Sequence, residues 1–207
     1  SDDDSTTVAE ALRMKPYVIA LVLTFISTWV TFGLRASILP IFVTEELKST
    51  TAVVGYGLAI SAIMQGIFLL RAGRFSDSKG RKASSVIGAN VVFVGVLILT
   101  FSTHVWMFLA SMIILGLGGA FLTTTPASIV GDVIKGKGGK VIGIFQMAGD
   151  AGMIVGPVVV GFVADHYGYR AAFGLSGLVF CIAVVLSIKM PETRKSRASH
   201  EIIDPLN

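Results

Sequence analysis

Six long runs of apolar residues, separated by short polar stretches, set the pattern of this chain. They cover residues 16–43, 51–70, 83–102, 105–125, 141–164 and 171–188. Each is close to or above the roughly 17–20 residues with which a helix crosses the hydrocarbon core of a bilayer. Runs such as residues 91–99 lack the strict alternation of a membrane β-barrel. Because lipid offers the backbone no hydrogen-bond partners, the pattern predicts an all-α membrane protein with six transmembrane helices, called here the first to sixth spans.

Composition agrees with a chain whose main solvent is lipid. Only 14% of the residues are charged and 53% are hydrophobic, whereas soluble domains carry about a quarter charged residues. Topology and attraction to anionic lipid headgroups explain the pI near 9.3, so we expect the lipid bilayer, and no nucleic acid, as a partner. The one cysteine, Cys181, lies inside the sixth run and can form no disulfide within one chain.

Basic residues are concentrated on one side of the predicted bundle. The second-to-third and fourth-to-fifth connections carry most of them, and the other three connections offer only Lys48 and Arg170. With six spans both termini lie on the same side as those two basic connections. Lysine and arginine in short loops mark the cytoplasmic side, which predicts a multi-pass protein of the plasma (cytoplasmic) membrane with both termini cytoplasmic. The basic residues on that side are Arg71, Arg74, Lys79, Arg81, Lys82, Lys135, Lys137 and Lys140, with Arg13, Lys15, Lys189, Arg194, Lys195 and Arg197 near the termini.

The domain organisation follows from the same pattern. We expect a cytoplasmic leader or linker over residues 1–15, a six-helix transmembrane unit over 16–190 and a basic cytoplasmic tail over 191–207. The first run is too long and too late for a cleaved signal peptide, and its leader is acidic at Asp2, Asp3 and Asp4. The chain begins at Ser1 and not at Met, as expected of a processed chain or a piece of a longer one.

An internal repeat relates the two halves of the six-helix unit. Residues 73–83 follow the second run and residues 161–171 follow the fifth, and both read G-x-x-x-D-x-x-G before a basic residue and an alanine. Because three spans separate the two copies and three is odd, the copies have opposite orientations in the membrane. The sequence therefore predicts two inverted three-helix repeats, an arrangement typical of transporters.

The first copy of the repeat has the residues of a breakable latch at the membrane surface. Gly73 allows close helix approach and Gly80 allows a tight turn. Asp77 can accept hydrogen bonds from N–H groups at a helix start, while Arg74, Arg81 and Lys82 can pair with carboxylates or headgroups. On charge alone, a basic turn that merely fixes topology is the alternative.

Residues 73–82 resemble the loop signature G-x-L-x-D-r-x-G-r-[RK]-x of the major facilitator superfamily, with Phe75 in place of leucine and Lys79 shifted by one position. The fifth run is similar to the glycine-proline motif of that family's drug:proton antiporters, with a single glycine at its end. Its residues are Gly149, Gly152, Gly156, Pro157 and Gly161. The resemblance implies one half of a twelve-helix transporter. The sequence 29–40 and the ending Met190-Pro-Glu-Thr-Arg194 favour the C-terminal half, which needs a second six-helix half or another copy as its partner.

Two charged residues lie inside predicted spans, where ionisable groups are functional candidates. Asp150 in the fifth run is a candidate for coupling to a proton gradient, and a structural ion pair is the alternative. Arg35 in the first run can pair inside the bundle, bind an anionic substrate or extend to the headgroups. Further candidates for a cavity that binds a small molecule are aromatic or amide residues at helical spacing, which can also be ordinary packing residues: Trp29, Phe32, Gln65, Phe145 and Gln146, together with Arg35.

The expected function is secondary active transport by alternating access, with drug or metabolite efflux in exchange for protons implied by the glycine-proline motif. An uptake symporter of the same fold, and a six-helix structural or channel-like protein without an alternating site, are the alternatives. Residues 136–140 contain glycines and lysines but lack the strand and the Lys-[ST] pair of a phosphate loop. No metal-site or catalytic motif is present, so we expect neither enzyme activity, nor a cofactor, nor a metal.

Overall fold

The computed structural model describes residues 6–134 and 138–193 of the 207-residue chain. Within them, six helices are long and apolar enough to cross a membrane, which confirms the predicted fold class and number of spans. In chain order the spans are Lys15–Glu45, Thr51–Lys79, Arg81–Thr100, Val105–Val133, Gly139–Tyr167 and Tyr169–Lys189. A short helix, Val8–Arg13, precedes them and begins with a capping box between Thr7 and Glu10. Lys135, Lys137 and the basic residues after position 193 lie outside the described residues.

The polarity of residues 71–82 suggested a loop, but in the structure this charged stretch is helical except at Gly80. The second span continues as a helix to Lys79, Gly80 alone interrupts it, and the third span begins at Arg81. Polarity marks where a helix leaves lipid, whereas backbone hydrogen bonding can continue well into water. The charged residues before Gly80 therefore occupy the last turns of a helix and project from fixed positions.

The first span contains a change of helix type. It is α-helical over Lys15–Thr28, π-helical over Trp29–Ile38 and α-helical again over Leu39–Glu45. Pro40 stands just after the π segment and cannot donate a backbone hydrogen bond to the preceding turn, which favours a local rearrangement there. Because i→i+5 hydrogen bonds widen these turns, residues three apart no longer return to the same face. Trp29, Phe32 and Arg35, which α-helical spacing would bring towards one face, all lie within this π segment.

The spans form two layers. The front layer runs in the order second, fourth, first and fifth, and the third and sixth spans pack together behind it. The first span packs on the fifth as the fourth packs on the second, which is the relation that two inverted three-helix repeats require. Successive spans alternate in direction, so one end of the bundle carries Gly80 and the other carries Gly168. We call these ends the Gly80 side and the Gly168 side.

Candidate functional site

The two repeat copies adopt the same backbone turn on opposite sides of the bundle. Gly80 has φ 109° and ψ 156°, and Gly168 has φ 86° and ψ 164°. Residues that carry a Cβ atom strongly disfavour this combination of φ and ψ. Each glycine is the single residue that separates two consecutive spans. The repeat seen in the sequence is thus also a repeat of backbone conformation.

Arg81 is the centre of a polar cluster on the Gly80 side. Its Nε donates to Asp132 Oδ2 at 2.9 Å, and Asp132 lies at the end of the fourth span. Its Nη1 pairs with Asp77 one turn earlier and lies 3.1 Å from Ser76 Oγ. The Arg81 side chain is 11% exposed and that of Asp132 is 18% exposed, whereas Asp77 is 69% exposed. The Arg81–Asp132 pair is therefore the part of the cluster that is sheltered from solvent, and dissolved salt screens its attraction less than that of the Arg81–Asp77 pair.

Glu192, just after the sixth span, completes the cluster. Its carboxylate accepts the backbone N–H of Arg81 at 2.7 Å and that of Lys82 at 3.2 Å, which are free donors at the start of the third span. Asp77 was expected to accept N–H groups of this kind, and in the structure Glu192 accepts these two. Thr193 Oγ1 lies 3.4 Å from Asp132 Oδ2. The Gly80 network, as we call Ser76, Asp77, Gly80, Arg81, the Lys82 backbone, Asp132, Glu192 and Thr193, joins the second, third and fourth spans to the segment after the sixth.

The other residues predicted for this site are more peripheral. Arg74 and the Lys82 side chain are exposed, where they can reach solvent or headgroups. Gly73 is half-buried and has no neighbouring atom within 4 Å of an ideal Cβ, so it does not mediate a close helix approach. Of the residues predicted for the latch, Arg81, Asp77 and Gly80 are brought together.

The glycine-proline motif of the fifth span packs against the first span. A Cβ at Gly152 would overlap the Phe25 carbonyl oxygen and Thr28 Oγ1, and a Cβ at Gly156 would lie 3.1 Å from the Trp29 backbone. Thr28 Oγ1 donates to the Gly149 carbonyl oxygen at 2.8 Å across this contact. Gly161 is different, since no atom lies within 4 Å of its ideal Cβ. The contact faces the π segment, where Gly33 and Gly156 bring the two backbones together.

Among the cavities lined by described residues, one contains Arg35 and another contains Phe145 and Gln146. Arg35 lies in a cavity of about 20 Å³ between the first, third, fourth and sixth spans, with Ser27 and Thr31 also in its lining. That volume holds about one water molecule and leaves no room for an organic substrate. The buried Nε of Arg35 has no hydrogen-bond partner among the described residues, and no ion pair there joins Arg35 to Asp150.

Phe145 and Gln146 line a larger cavity of about 220 Å³ between the Gly80-side ends of the fourth and fifth spans. Asp150 is exposed one turn further along the fifth span. Gln65 donates to Thr123 Oγ1 at 3.0 Å across the second and fourth spans. Trp29 is buried and donates to Ser176 Oγ at 3.1 Å, and Phe32 is half-buried. Trp29 therefore serves packing, whereas Phe145 and Gln146 line the larger cavity.

Several residues of the polar clusters were not predicted. Asp132, Glu192, Thr193, Glu45 and Tyr169 lie at or just beyond span ends, far in sequence from the residues they bond. The sequence offered a signal only for Glu45, a carboxylate directly after the first apolar run and Thr44.

The six-helix arrangement with inverted repeats and glycine-mediated packing defines a half of a membrane transporter. A family model for the Major Facilitator Superfamily matches residues 19–204, and the chain belongs to that family. It is 30% identical over 168 residues to the multidrug resistance protein MdtG of Yersinia enterocolitica serotype O:8 / biotype 1B, covering 77% of this chain and 40% of the relative. It is 29% identical over 188 residues to MdtG of Escherichia fergusonii, covering 86% of this chain and 45% of the relative. The chain thus spans less than half the length of these relatives.

Solved transporters share the fold. The peptide transporter POT in complex with sulfate superposes with a TM-score of 0.75 at 21% identity, over 91% of this chain and 42% of that one. Tetrameric PepTSo2 gives a TM-score of 0.76 at 16% identity, over 93% of this chain and 44% of that one. Both similarities cover most of this chain and less than half of the solved protein, which confirms the architecture of a transporter half.

Proposed function

We propose that this chain is one six-helix half of a secondary active transporter that works by alternating access and exports drugs or metabolites in exchange for protons. The observation that carries the proposal is the Gly80 network, in which Arg81 joins the third span to Asp132 of the fourth and to Asp77 of the second. Ion pairs of this kind hold helix ends together in one state and can be exchanged for water in another. The similarity to MdtG supports efflux over uptake.

The transporter needs a second half, and the second and fifth spans are placed to meet it. They stand at the two edges of the front layer and are the least buried spans, with 17% and 28% of their most apolar windows buried. Their exposed residues include large apolar side chains such as Ile63, Ile67, Ile154 and Val158. The partner is a second six-helix half or another copy of this chain, and this chain takes the place of the C-terminal half.

Asp150 is the proposed coupling residue. It is exposed on the fifth span, next to Gly149 and one turn from Gln146, and it makes no ion pair within the described residues. A carboxylate without a fixed cation can take up and release a proton as the two halves close around it. The substrate contacts the cavity lined by Phe145 and Gln146.

Proteoliposomes test this function directly. The chain, alone and together with a complementary six-helix half, is reconstituted, and the movement of a fluorescent cationic drug is followed under an imposed proton gradient. Asp150→Asn should abolish gradient-driven transport, because an amide does not ionise near neutral pH and so cannot bind and release a proton in each cycle, and Asp150→Glu should retain part of it. Transport by Asp150→Asn at the wild-type rate would contradict the coupling role. Movement of the drug together with protons would establish an uptake symporter.

The same assay also tests the contribution of the Gly80 network to transport. Arg81→Gln should lower the transport rate by roughly tenfold, since it breaks a sheltered ion pair and leaves Asp132 without its partner. Lys79→Gln is the control, because it also removes one positive charge, from an exposed side chain two residues before Arg81. Equal rates for the two variants would show that the network does not contribute to transport.

A further inference from the structure

The Gly168 side carries a polar contact of its own. Tyr169, the first residue of the sixth span, donates its hydroxyl to Glu45 Oε2 at 2.6 Å. Glu45 is the last residue of the first span. Hydrogen bonds of this length to an ionised carboxylate are stronger than those between neutral groups. The pair therefore ties the end of the first span to the start of the sixth.

Its position corresponds to that of Arg81–Asp132 under the inverted repeat. Gly80 corresponds to Gly168, so the residue after each glycine corresponds too, and these residues are Arg81 and Tyr169. The fourth span corresponds to the first, so a carboxylate at the end of one corresponds to a carboxylate at the end of the other. Both pairs thus consist of a donor directly after a glycine turn and a carboxylate acceptor at or near the end of the first span of a repeat.

The surroundings of the two pairs agree as well. Asp77 lies four residues before Arg81 and pairs with it, and Asp165 lies four residues before Tyr169 and interacts electrostatically with its hydroxyl. Phe42, one turn before Glu45, stacks edge-on against Tyr169 at 6.0 Å and against Phe173 at 4.9 Å between ring centroids. The tyrosine ring is thus held by packing while its hydroxyl is held by the carboxylate.

We propose that Tyr169 and Glu45 form a second latch, the Gly168-side counterpart of Arg81 and Asp132, and that the two latches set the balance between the states open to either side. This inference rests on the proposed alternating access. Releasing a latch frees the helix ends at its own side, so each latch disfavours the state that is open there. Tyr169 and Glu45 are positioning residues, which act on the conformational balance without touching substrate.

Thiol alkylation can measure that balance at both sides. In a Cys181→Ser background, single cysteines are placed at Ile142 near the Gly80 side and at Val158 nearer the Gly168 side, both exposed on the fifth span. The full chain with its transport partner is labelled in membranes. Tyr169→Phe should raise the alkylation rate at position 158 and lower it at 142, and Arg81→Lys should do the reverse. Each change should be roughly two- to tenfold, the effect of one hydrogen bond on an equilibrium.

The controls separate a latch from general loosening. Tyr167→Phe removes the same hydroxyl two residues away, on a side chain that is 73% exposed, and should change neither rate. Glu45→Gln should act in the same direction as Tyr169→Phe, and the two together should change the rates less than additively. Rates that rise at both positions, or a Tyr169→Phe variant that matches Tyr167→Phe, would overturn the proposal.

The transport assay distinguishes a failure of this inference from a failure of the proposed function. Transport that persists while the ratio of the two alkylation rates stays fixed in Tyr169→Phe contradicts the second latch and leaves the transporter assignment standing. A ratio that shifts in a chain that moves no drug supports the latch and counts against the drug-efflux assignment.

Discussion

Gly80 and Gly168 are the two positions at which a single backbone conformation connects consecutive spans. Both occupy a region of φ and ψ that costs other residues roughly 1–3 kcal/mol. A Cβ at Gly80 would also overlap the Glu192 carboxylate, whereas no atom lies within 4 Å of a Cβ at Gly168. Gly80→Ala should therefore lower the thermal unfolding temperature in detergent more than Gly168→Ala does.

The comparison isolates the Glu192 contact, because the backbone strain is common to both variants. Gly131→Ala, in a helix with open space around it, is the control and should leave the unfolding temperature unchanged or raise it. Equal losses for Gly80→Ala and Gly168→Ala would mean that Glu192 adds nothing at the start of the third span.

Thr28 makes a polar contact in the glycine-mediated interface. Its hydroxyl reaches the Gly149 carbonyl oxygen while also lying 3.0 Å from the carbonyl oxygens of Thr24 and Phe25. Thr28→Val keeps the shape and removes the donor, and it should cost about 0.6 kcal/mol, the average for interhelical hydrogen bonds in membranes. Chemical unfolding in mixed micelles measures the change. A loss of several kcal/mol would indicate that valine disturbs the packing as well.

The packing of the first and fifth spans decides the effect of substitutions along the glycine-proline motif. Gly152→Ala places a methyl group against the Phe25 carbonyl oxygen, so it should destabilise the fold by roughly 1–3 kcal/mol through overpacking. Gly161→Ala has open space and is the matched control on the same helix. If Gly161→Ala were the more damaging variant, the assignment of the interface to Gly149, Gly152 and Gly156 would be wrong.

Hydropathy predicted the number and centres of the spans but not their ends. The second span ends at Lys79, nine residues past the predicted Leu70, because charged residues that leave the lipid continue the helix in water. The π segment at Trp29–Ile38 was also not predicted, although Pro40 just after it favours a local rearrangement of the helix. Trp29, Phe32 and Arg35 all lie inside this segment, so α-helical spacing does not describe which residues share a face there.

At the scale of the whole molecule, the odd number of spans between the two repeat copies is enough to predict the inverted repeat. The same pattern indicated Gly80 and Arg81 as part of a latch, but not their partners, because Asp132 and Glu192 are 51 and 111 residues from Arg81. Such pairings follow only from the packing of the third span against the fourth and sixth spans. The second latch is visible only when the contacts and the repeat are considered together.

The central claim is that two equivalent turns, each followed by a latch, face opposite compartments. Labelling with a membrane-impermeant maleimide in oriented vesicles tests it, with Lys79→Cys and Tyr167→Cys compared in a Cys181→Ser background. These residues directly precede Gly80 and Gly168, and both are exposed. We predict that position 79 reacts only from the cytoplasmic compartment and position 167 only from the opposite one. Reaction of both cysteines from the same compartment would contradict the inverted repeat and, with it, both latches.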